Sequence, residues 1–522
     1  MTRWRAWRPP GSEHNLKPEV HFLIVSLNRG VEIGMQFRNF RLMLNLTIAG
    51  VLVILFFNGC GSLQLDRNIN QFHRTSWPSV VDHSPSTRSP FVGVAISGGG
   101  SRSANFAAAV LEELDYYGFL DHVNAISAVS GGTLPAAYYV LNRKKPAWSW
   151  NTLRERVGTN FYSHLLLKHA NPWKLLNYAF TEYNRSDMMA EVFDETLLDN
   201  ATFGDIDAGM PELLINATDV NGGPFVFSKM KFDEMHSSFT DYPVSRALAA
   251  STSVPGIFQG IAVRTYQADG TFYYYHLIDG GITENLGLES LFNHYIRSEE
   301  SVEHGARSAS PRACFIFLID ASPGGNEAQR LAAVTHRDLR KWSDFIVDRN
   351  LMNAFDVMFG RAYGQFLFQI QEGRDLGEPI YEATYKRYYN QMKCTIWQIH
   401  SRYLMYDNVR FDKSDNYKIA AHLHSVLPQI ETHWKLVSPI PCSSTALQAA
   451  LYDGAKMLVS ASRFSLSQAM AWFASHHLPV KQGLPPRSES YEFFPKYEVA
   501  VTNEEKIAPG EWKFGEIFCK RK

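Results

Sequence analysis

Short, uninterrupted apolar runs alternate along this chain with longer segments in which apolar residues recur at helical spacing. Phe91-Val92-Gly93-Val94-Ala95-Ile96 is the first run of the folded body and ends in Ser97-Gly98-Gly99-Gly100. Its length, its composition and the turn that closes it predict a buried strand. From about Ser103 the pattern changes: Phe106, Val110, Leu111 and Leu114 share one helical face, and Gly118 supplies a C-terminal stop. Val123–Val129 predicts a second strand, and Ser130-Gly131-Gly132 leads into a helix through Leu134, Ala137, Tyr138 and Leu141. Strand, helix and strand in succession imply a parallel βαβ unit. Further buried strands are expected at Leu213–Ala217, Tyr273–Ile278 and Cys314–Ile319, each opening onto a turn with Asp or Gly. The fold class is α/β on a parallel or mixed sheet. Beyond Asp320-Ala321-Ser322 the stretches Ile380–Leu404 and Thr445–Leu466 are rich in aromatic and helix-forming residues, and mainly helices are expected there. No internal repeat suggests a solenoid.

The N-terminal pattern differs. Arg38 and Arg41 precede an apolar run, Leu46–Phe57, which ends at Asn58-Gly59-Cys60-Gly61-Ser62. A bilayer span needs roughly 20 residues, whereas this run has the length of a signal-peptide core, so export is expected. A Cys directly after a small residue at the end of such a run resembles the lipobox of bacterial lipoproteins, which makes Cys60 the lipidated anchor. Phe57 and Asn58 depart from that motif, which has an aliphatic and a small residue there. An uncleaved anchor with the body outside, or cleavage elsewhere, are the other readings. Met35 would give such a signal a more ordinary start. Ser62–Pro90 is polar and turn-rich and reads as a tether. The expected organisation is an anchor region over 1–61, a linker over 62–90, a core over 91–322 and a mainly helical extension over 323–522 packed on it. The body would be exported and membrane-associated, periplasmic or at the cell surface.

Composition narrows the function. Of 522 residues, 45% are hydrophobic and 20% charged, ordinary for a globular chain. The 51 Lys and Arg against 52 Asp and Glu leave a net charge of -1, so no electrostatic footprint points to nucleic acid. Cys60, Cys314, Cys394, Cys442 and Cys519 form no CxxC pair and no zinc spacing. An oxidising compartment would permit one pair among the later four, which the sequence does not choose.

The chemistry lies in three turns. In an open α/β sheet, functional groups collect where strands end and helices begin. Gly98-Gly99-Gly100 lets backbone amides converge on one point and stabilise negative charge, either a phosphate or the oxyanion of an acyl intermediate. The second turn, Ala128-Val129-Ser130-Gly131-Gly132, puts a serine among small neighbours at a strand-to-helix corner, as a nucleophile elbow requires. Ala128 stands where the usual GxSxG pattern has Gly. Isolated, Ser130 could instead merely cap the following helix. The third turn is Leu277-Ile278-Asp279-Gly280-Gly281, an apolar strand ending in a carboxylate; alone it reads as easily as an Asp-Gly turn. Together they suggest a Ser-Asp dyad, with Asp279 taking the proton of Ser130 while amides of Gly98, Gly99, Gly100 and Gly131 hold the oxyanion.

Ser97-Gly98-Gly99-Gly100-Ser101-Arg102, then Ser130-Gly131-Gly132, then Asp279-Gly280-Gly281 resemble, in order and spacing, the three signature blocks of patatin-like phospholipases. Ala250–Phe258 resembles that family's stretch before the catalytic Asp, and Asn216-Ala217-Thr218-Asp219 its central strand. Over roughly 91–322 the resemblance implies a three-layer α/β/α sandwich, hydrolysis of lipid carboxylic esters of the phospholipase A or lysophospholipase kind, and no cofactor. Arg102, Gly132, Gly280 and Gly281 belong to the supporting motif; Arg102 reads as structural or as a phosphate contact. Ser97 replaces the Asp of plant patatins, and Ser103 replaces a small Gly or Ala.

The rival readings are weaker. Ser103 occupies the third glycine position of a dinucleotide motif, and no Gly-Lys-Ser/Thr follows as in a P-loop. His336, His400 and His433 could complete a Ser-His-Asp triad, but they scatter without context. His422, His424, His476 and His477 have no partnering Cys or carboxylate motif, and no metal is assigned. An acyltransferase using the same acyl-enzyme and an inactive membrane-tethered lipid-binding module remain as alternatives. Trp342, Phe345, Phe355, Phe359 and Phe366 either line an acyl channel or fill a core. The expected partners are a membrane phospholipid or other lipid ester, and the membrane surface.

Overall fold

A computed structural model describes residues 89–267, 269–303, 312–321, 380–387, 390–401, 452, 454–461 and 463–484. The expectations for 1–61, Cys60, most of the linker, the five aromatic residues from Trp342 to Phe366, and His336, His422, His424 and His433 lie outside them. Nine strands among the described residues form one sheet: β1 (Phe91–Ile96), β2 (Ala125–Val129), β3 (Glu212–Asp219), β4 (Gly223–Phe227), β5 (Ile261–Tyr266), β6 (Phe272–Asp279), β7 (Cys314–Asp320), β8 (Ile380–Arg387) and β9 (Asn390–His400). The order is β5-β6-β3-β2-β1-β7-β9-β8, with β4 paired to β3 off this path. β3, β2, β1, β7 and β9 run parallel, and β4, β6 and β8 join them antiparallel. The chain therefore leaves β1 on one side for β2 and β3 and returns on the other as β7. This is a topological switch point, where the crevice outside the carboxyl ends of the strands opens for a ligand.

The α-helices among the described residues are α1 (Gly100–Tyr116), α2 (Thr133–Asn142), α3 (Trp150–Val157), α4 (Phe161–His169), α5 (Pro172–Phe180), α6 (Arg185–Phe193), α7 (Lys229–Glu234), α8 (Val244–Ser251), α9 (Leu288–Glu303) and α10 (Arg463–Ser475). Both faces of the sheet are covered, which explains why its central strands read as apolar runs without alternation. On β7, Ile316 and Leu318 pack with Leu288, Leu291, Phe292 and Tyr295 of α9. The alternate residues Phe315 and Phe317 turn the other way and meet Phe473 of α10 at ring-centroid distances of 5.4 and 6.0 Å. The three-layer α/β/α fold is the one expected. The predicted strands recur within two residues at each end, and Gly118 has the left-handed φ of 80° that a glycine stop supplies.

One expectation is corrected. Ile380–Leu404 was expected to be helical; β8 and β9 instead form a hairpin that extends the sheet beyond residue 322. The local pattern explains it: Tyr381, Ala383 and Tyr385 are buried while Glu382 is exposed, the period of two that marks a strand with one covered face. Of Thr445–Leu466, in contrast, the described residues 454–461 are helical, as is the stretch from Arg463 on, where α10 begins.

The pairing of β7 with β9 sets Cys314 beside Cys394, and the two form a disulfide with a Cα separation of 4.6 Å. The bridge closes a loop of 80 residues. Loop entropy assigns such a crosslink about 4.5 kcal/mol against the unfolded chain. Denaturant titration of Cys314→Ser/Cys394→Ser beside the parent is expected to show a loss of that order.

The chain divides into two units, a main body of Asp66–Lys174 and Tyr183–Lys522, and a second of Met1–Leu65 and Leu175–Glu182. In the second unit the described residues include the C-terminal part of α5, a helix with no buried residue.

Candidate active site

Sheet register brings the three turns together. Val129 of β2 lies beside Asn216 of β3, and the next residue of β3, Ala217, lies beside Asp279 of β6. Ser130, one residue past β2, and Asp279, the last of β6, therefore stand in the same row on either side of β3. Ser130 Oγ donates to Asp279 Oδ2 at 2.8 Å. Ser130 makes no helix-capping bond, so the capping reading is set aside. Asp279 keeps its turn geometry as well: Oδ1 accepts the Gly281 N–H at 2.9 Å, which leaves Oδ2 for the serine.

Ser130 has φ 48°, in the left-handed region that costs an L-residue energy and that a nucleophile elbow imposes. Three bonds hold it there. Its N–H donates to Ser251 Oγ at 2.8 Å, Ser251 Oγ donates to the Asn216 carbonyl at 2.5 Å, and Thr133 Oγ1 donates to the Ser130 carbonyl at 2.6 Å. Asn216 steadies the strand below by donating to Ser127 Oγ and the Ala128 carbonyl, both at 2.9 Å.

The glycine loop sits against this elbow. Gly99 and Gly100 have φ of 141° and 58°, conformations natural to glycine. Gly100 is the first residue of its helix and Gly131 the second of the short turn Ser130–Gly132, both within the first turn, where N–H groups lack intrahelical acceptors. Gly98 is corrected as an oxyanion donor, because its N–H is already bonded to the Asn285 carbonyl at 2.9 Å. It needs to be glycine for another reason: a Cβ there would overlap Asn285 Oδ1. The candidate donors are thus Gly99, Gly100 and Gly131. A Cβ on Gly131 would overlap the Gly100 carbonyl, one on Gly132 would press on Ile96 and the Ser97 carbonyl, and one on Gly280 would overlap the Asn216 carbonyl. Arg102 is buried and its Nε donates to the Ala321 carbonyl at 2.8 Å, so it ties α1 to the end of β7. Ser97 Oγ reinforces the same junction, accepting the Ala321 N–H at 2.8 Å.

Asp279 is 2% exposed and Ser130 8%. Burial pushes the Asp279 carboxyl up to about 6, against the opposing pull of the Gly281 N–H and the Ser130 hydroxyl. Burial likewise lifts Glu284 to about 7, although its carboxylate accepts the N–H groups of Leu286 and Glu289 at the start of α9. A base of this kind, with a pKa near the working pH and in contact with a strained serine, is suited to proton abstraction. Of the histidines proposed for a triad, His400 pairs with Asp320 at 3.6 Å on the opposite side of β1 from Ser130.

Ser251, Asn285 and Tyr162 are placed at the site by the fold and were not singled out in the sequence. Ser251 lies inside the family-like Ala250–Phe258 stretch, so its block was visible although its bond was not. Tyr162 of α4 is set against Phe258 at a centroid distance of 6.4 Å, and after burial the Asp279 charge is what raises its hydroxyl.

Sequence comparison with curated proteins finds no match. Human GIVD cytosolic phospholipase A2 in complex with methyl gamma-linolenyl fluorophosphonate is similar at 13% identity and a TM-score of 0.39, over 71% of this chain and 60% of that one. The present chain thus spans about 60% of the length of that protein. VipD from Legionella pneumophila is similar at 11% identity and a TM-score of 0.23, over 87% of each chain. The ExoU-SpcU complex of Pseudomonas aeruginosa matches at 13% identity and a TM-score of 0.19, over 77% of this chain and 74% of that one. The sequence model of the patatin-like phospholipase family matches residues 94–292, which include all three turns. Over those residues the chain matches the patatin-like phospholipase domain.

Proposed function

We propose that the chain hydrolyses carboxylic esters of lipids, as a phospholipase A or lysophospholipase does, through a Ser130–Asp279 dyad. The direct hydrogen bond from Ser130 Oγ to Asp279 Oδ2 carries this reading. Ser130 Oγ attacks the ester carbonyl carbon as its proton passes to Asp279. The tetrahedral oxyanion takes hydrogen bonds from the amides of Gly99, Gly100 and Gly131. On collapse the carbon–oxygen bond breaks, and the departing alkoxide takes the proton from Asp279, leaving an acyl ester on Ser130. Water then attacks that ester and gives its proton to Asp279; on collapse the bond to Ser130 Oγ breaks, Oγ takes that proton back from Asp279, and free fatty acid leaves. No imidazole is needed, because the buried carboxylate is itself basic enough near neutral pH.

The pH profile follows from this assignment. Asp279 must be ionised to accept the proton, so kcat is expected to fall on the acid side with a midpoint at about 6. A rate that held to pH 4 would remove Asp279 as the base. The direct test of the nucleophile is covalent: an alkyl fluorophosphonate should phosphonylate one serine with loss of fluoride, and peptide mapping should place the adduct on Ser130. An adduct elsewhere, or none on an active protein, would overturn the assignment.

The site of action proposed is a membrane surface outside the cytoplasm, with the body held by its N-terminal segment or by lipid on Cys60. The Cys314–Cys394 disulfide supports an oxidising compartment.

A further inference from the structure

We infer that the edge of the sheet bearing Ser130 is the face that docks on a lipid bilayer, through α4, the start of α5 and the tip of the β5–β6 hairpin. The inference rests on the lipid-hydrolase reading and adds the surface by which substrate reaches it.

The positions of exposed apolar side chains carry it. β6 runs antiparallel to β3, and Asp219, the last residue of β3, pairs with Leu277. β6 continues five residues further back to Phe272 and pairs there with Tyr266 of β5. At about 3.4 Å per residue the hairpin projects about 17 Å past the carboxyl end of β3. β2 is parallel to β3, so this is the edge on which Ser130 stands. Phe272, Tyr273 and Tyr274 are exposed on that projection.

α4 starts beside the site, at Tyr162, and carries a second exposed apolar group. Phe161 and Leu165 are buried, Tyr162 lies half-buried against Phe258 near Asp279, and Leu166 and Leu167 are 60% and 66% exposed. Trp173, at the start of α5, is 76% exposed. Among the described residues of the main body, Val220 and Met230 are the other exposed large apolar side chains. Val220 lies in the turn from β3 to β4 on this same edge, and Met230 lies at the far end, where β4 delivers α7.

A bilayer fits this face better than a protein. A second copy or a protein partner lying over the edge would close the route to Ser130, whereas a bilayer is the source of the ester. Tyrosines with an Arg beside them suit the headgroup level. Here the Arg264 guanidinium stands 4.1 Å from the Phe272 ring centroid and donates to Tyr274 Oη at 3.1 Å. Residues 62–90 can span at most about 105 Å, which leaves an upstream anchor and this edge free to use one bilayer. Lys168 and Lys174 are engaged by Glu191 and Glu195, so insertion rests on apolar contact rather than on anionic lipid.

The test is photolabelling of the full chain in phosphatidylcholine vesicles carrying a diazirine on the acyl chain, read by peptide mapping. Adducts within 161–173 and 270–275, unchanged between low and high salt, are expected. Adducts confined to the N-terminal apolar run, or crosslinks between copies through these segments in place of lipid adducts, would overturn the inference. Leu167→Glu/Trp173→Glu/Phe272→Glu is expected to lower the ratio of vesicle hydrolysis to hydrolysis of a water-soluble ester at least tenfold; an unchanged ratio would overturn it. Should that variant fail to fold, labelling of the parent still decides. A parent inactive on both esters would remove the dyad reading, while the labelling pattern would still decide the docking face.

Discussion

Ser130→Ala is expected to lower ester hydrolysis by about 10⁴- to 10⁶-fold, the cost of disabling a nucleophile whose partners act as a unit with it. Asp279→Asn should fall into the same range, because asparagine keeps the shape of the carboxyl group but accepts no proton. Fatty-acid release from vesicles and from a water-soluble ester measures both. Retention of most activity by Asp279→Asn would send the search to another base. The same substitution makes an opposite prediction for stability. Burial raises the Asp279 carboxyl to about 6, so between about pH 4 and pH 6 the folded protein binds more protons than the unfolded chain. Stability is therefore lost as pH rises through that window, and the deficit persists above it. Two pH units correspond to about 3 kcal/mol. The asparagine side chain would stay neutral throughout, so the Asp279→Asn variant is expected to be more stable than the parent by about 1–3 kcal/mol at pH 8. The difference should close by about pH 4, which denaturation curves at the two pH values can check. A group that weakens the fold at the pH where it works is the signature of a site built for chemistry.

Gly131→Ala is expected to abolish measurable turnover without touching either member of the dyad. The added methyl group would overlap the Gly100 carbonyl oxygen and carbon, which are backbone atoms with no rotamer to yield. Either the glycine loop moves away from the elbow or Ser130 moves away from Asp279. Losing one oxyanion donor costs about 10²- to 10³-fold in kcat, and displacing Gly100 together with Gly131 should cost more. Gly222→Ala is the matched control, since the space around its Cβ is open, although its φ of 103° adds local strain. Its turnover should remain within a few-fold of the parent. A Gly131→Ala protein that folded and kept its rate would show that the glycine loop does not hold the oxyanion.

The two glycine-rich turns, the strands that lead to them and the helix that stops at Gly118 were legible because each depends on a few consecutive residues. A run such as Phe91–Ile96 can only be buried on both faces, and Gly98-Gly99-Gly100 has conformations open to it that side chains would close. Ser130 and Asp279 were legible as candidates for the same local reason, each standing at the end of an apolar strand. Where local pattern was read too coarsely the reading failed: the alternation of Tyr381, Ala383 and Tyr385 marks a strand, and the surrounding aromatic richness obscured it.

What remained was decided by contacts between residues far apart in the chain. That Ser130 meets Asp279 depends on the register of β2, β3 and β6, which no single segment encodes. Gly98 lost its place among the oxyanion donors to the carbonyl of Asn285, and Ser251 became the acceptor for the Ser130 amide, through bonds visible only once the strands are side by side. Cys394 was chosen over Cys442 and Cys519 as the partner of Cys314 because β9 lies against β7. Local sequence sets which conformations and which chemistry a segment can have; the packing of a shared sheet sets which of those segments stand within a hydrogen bond of one another.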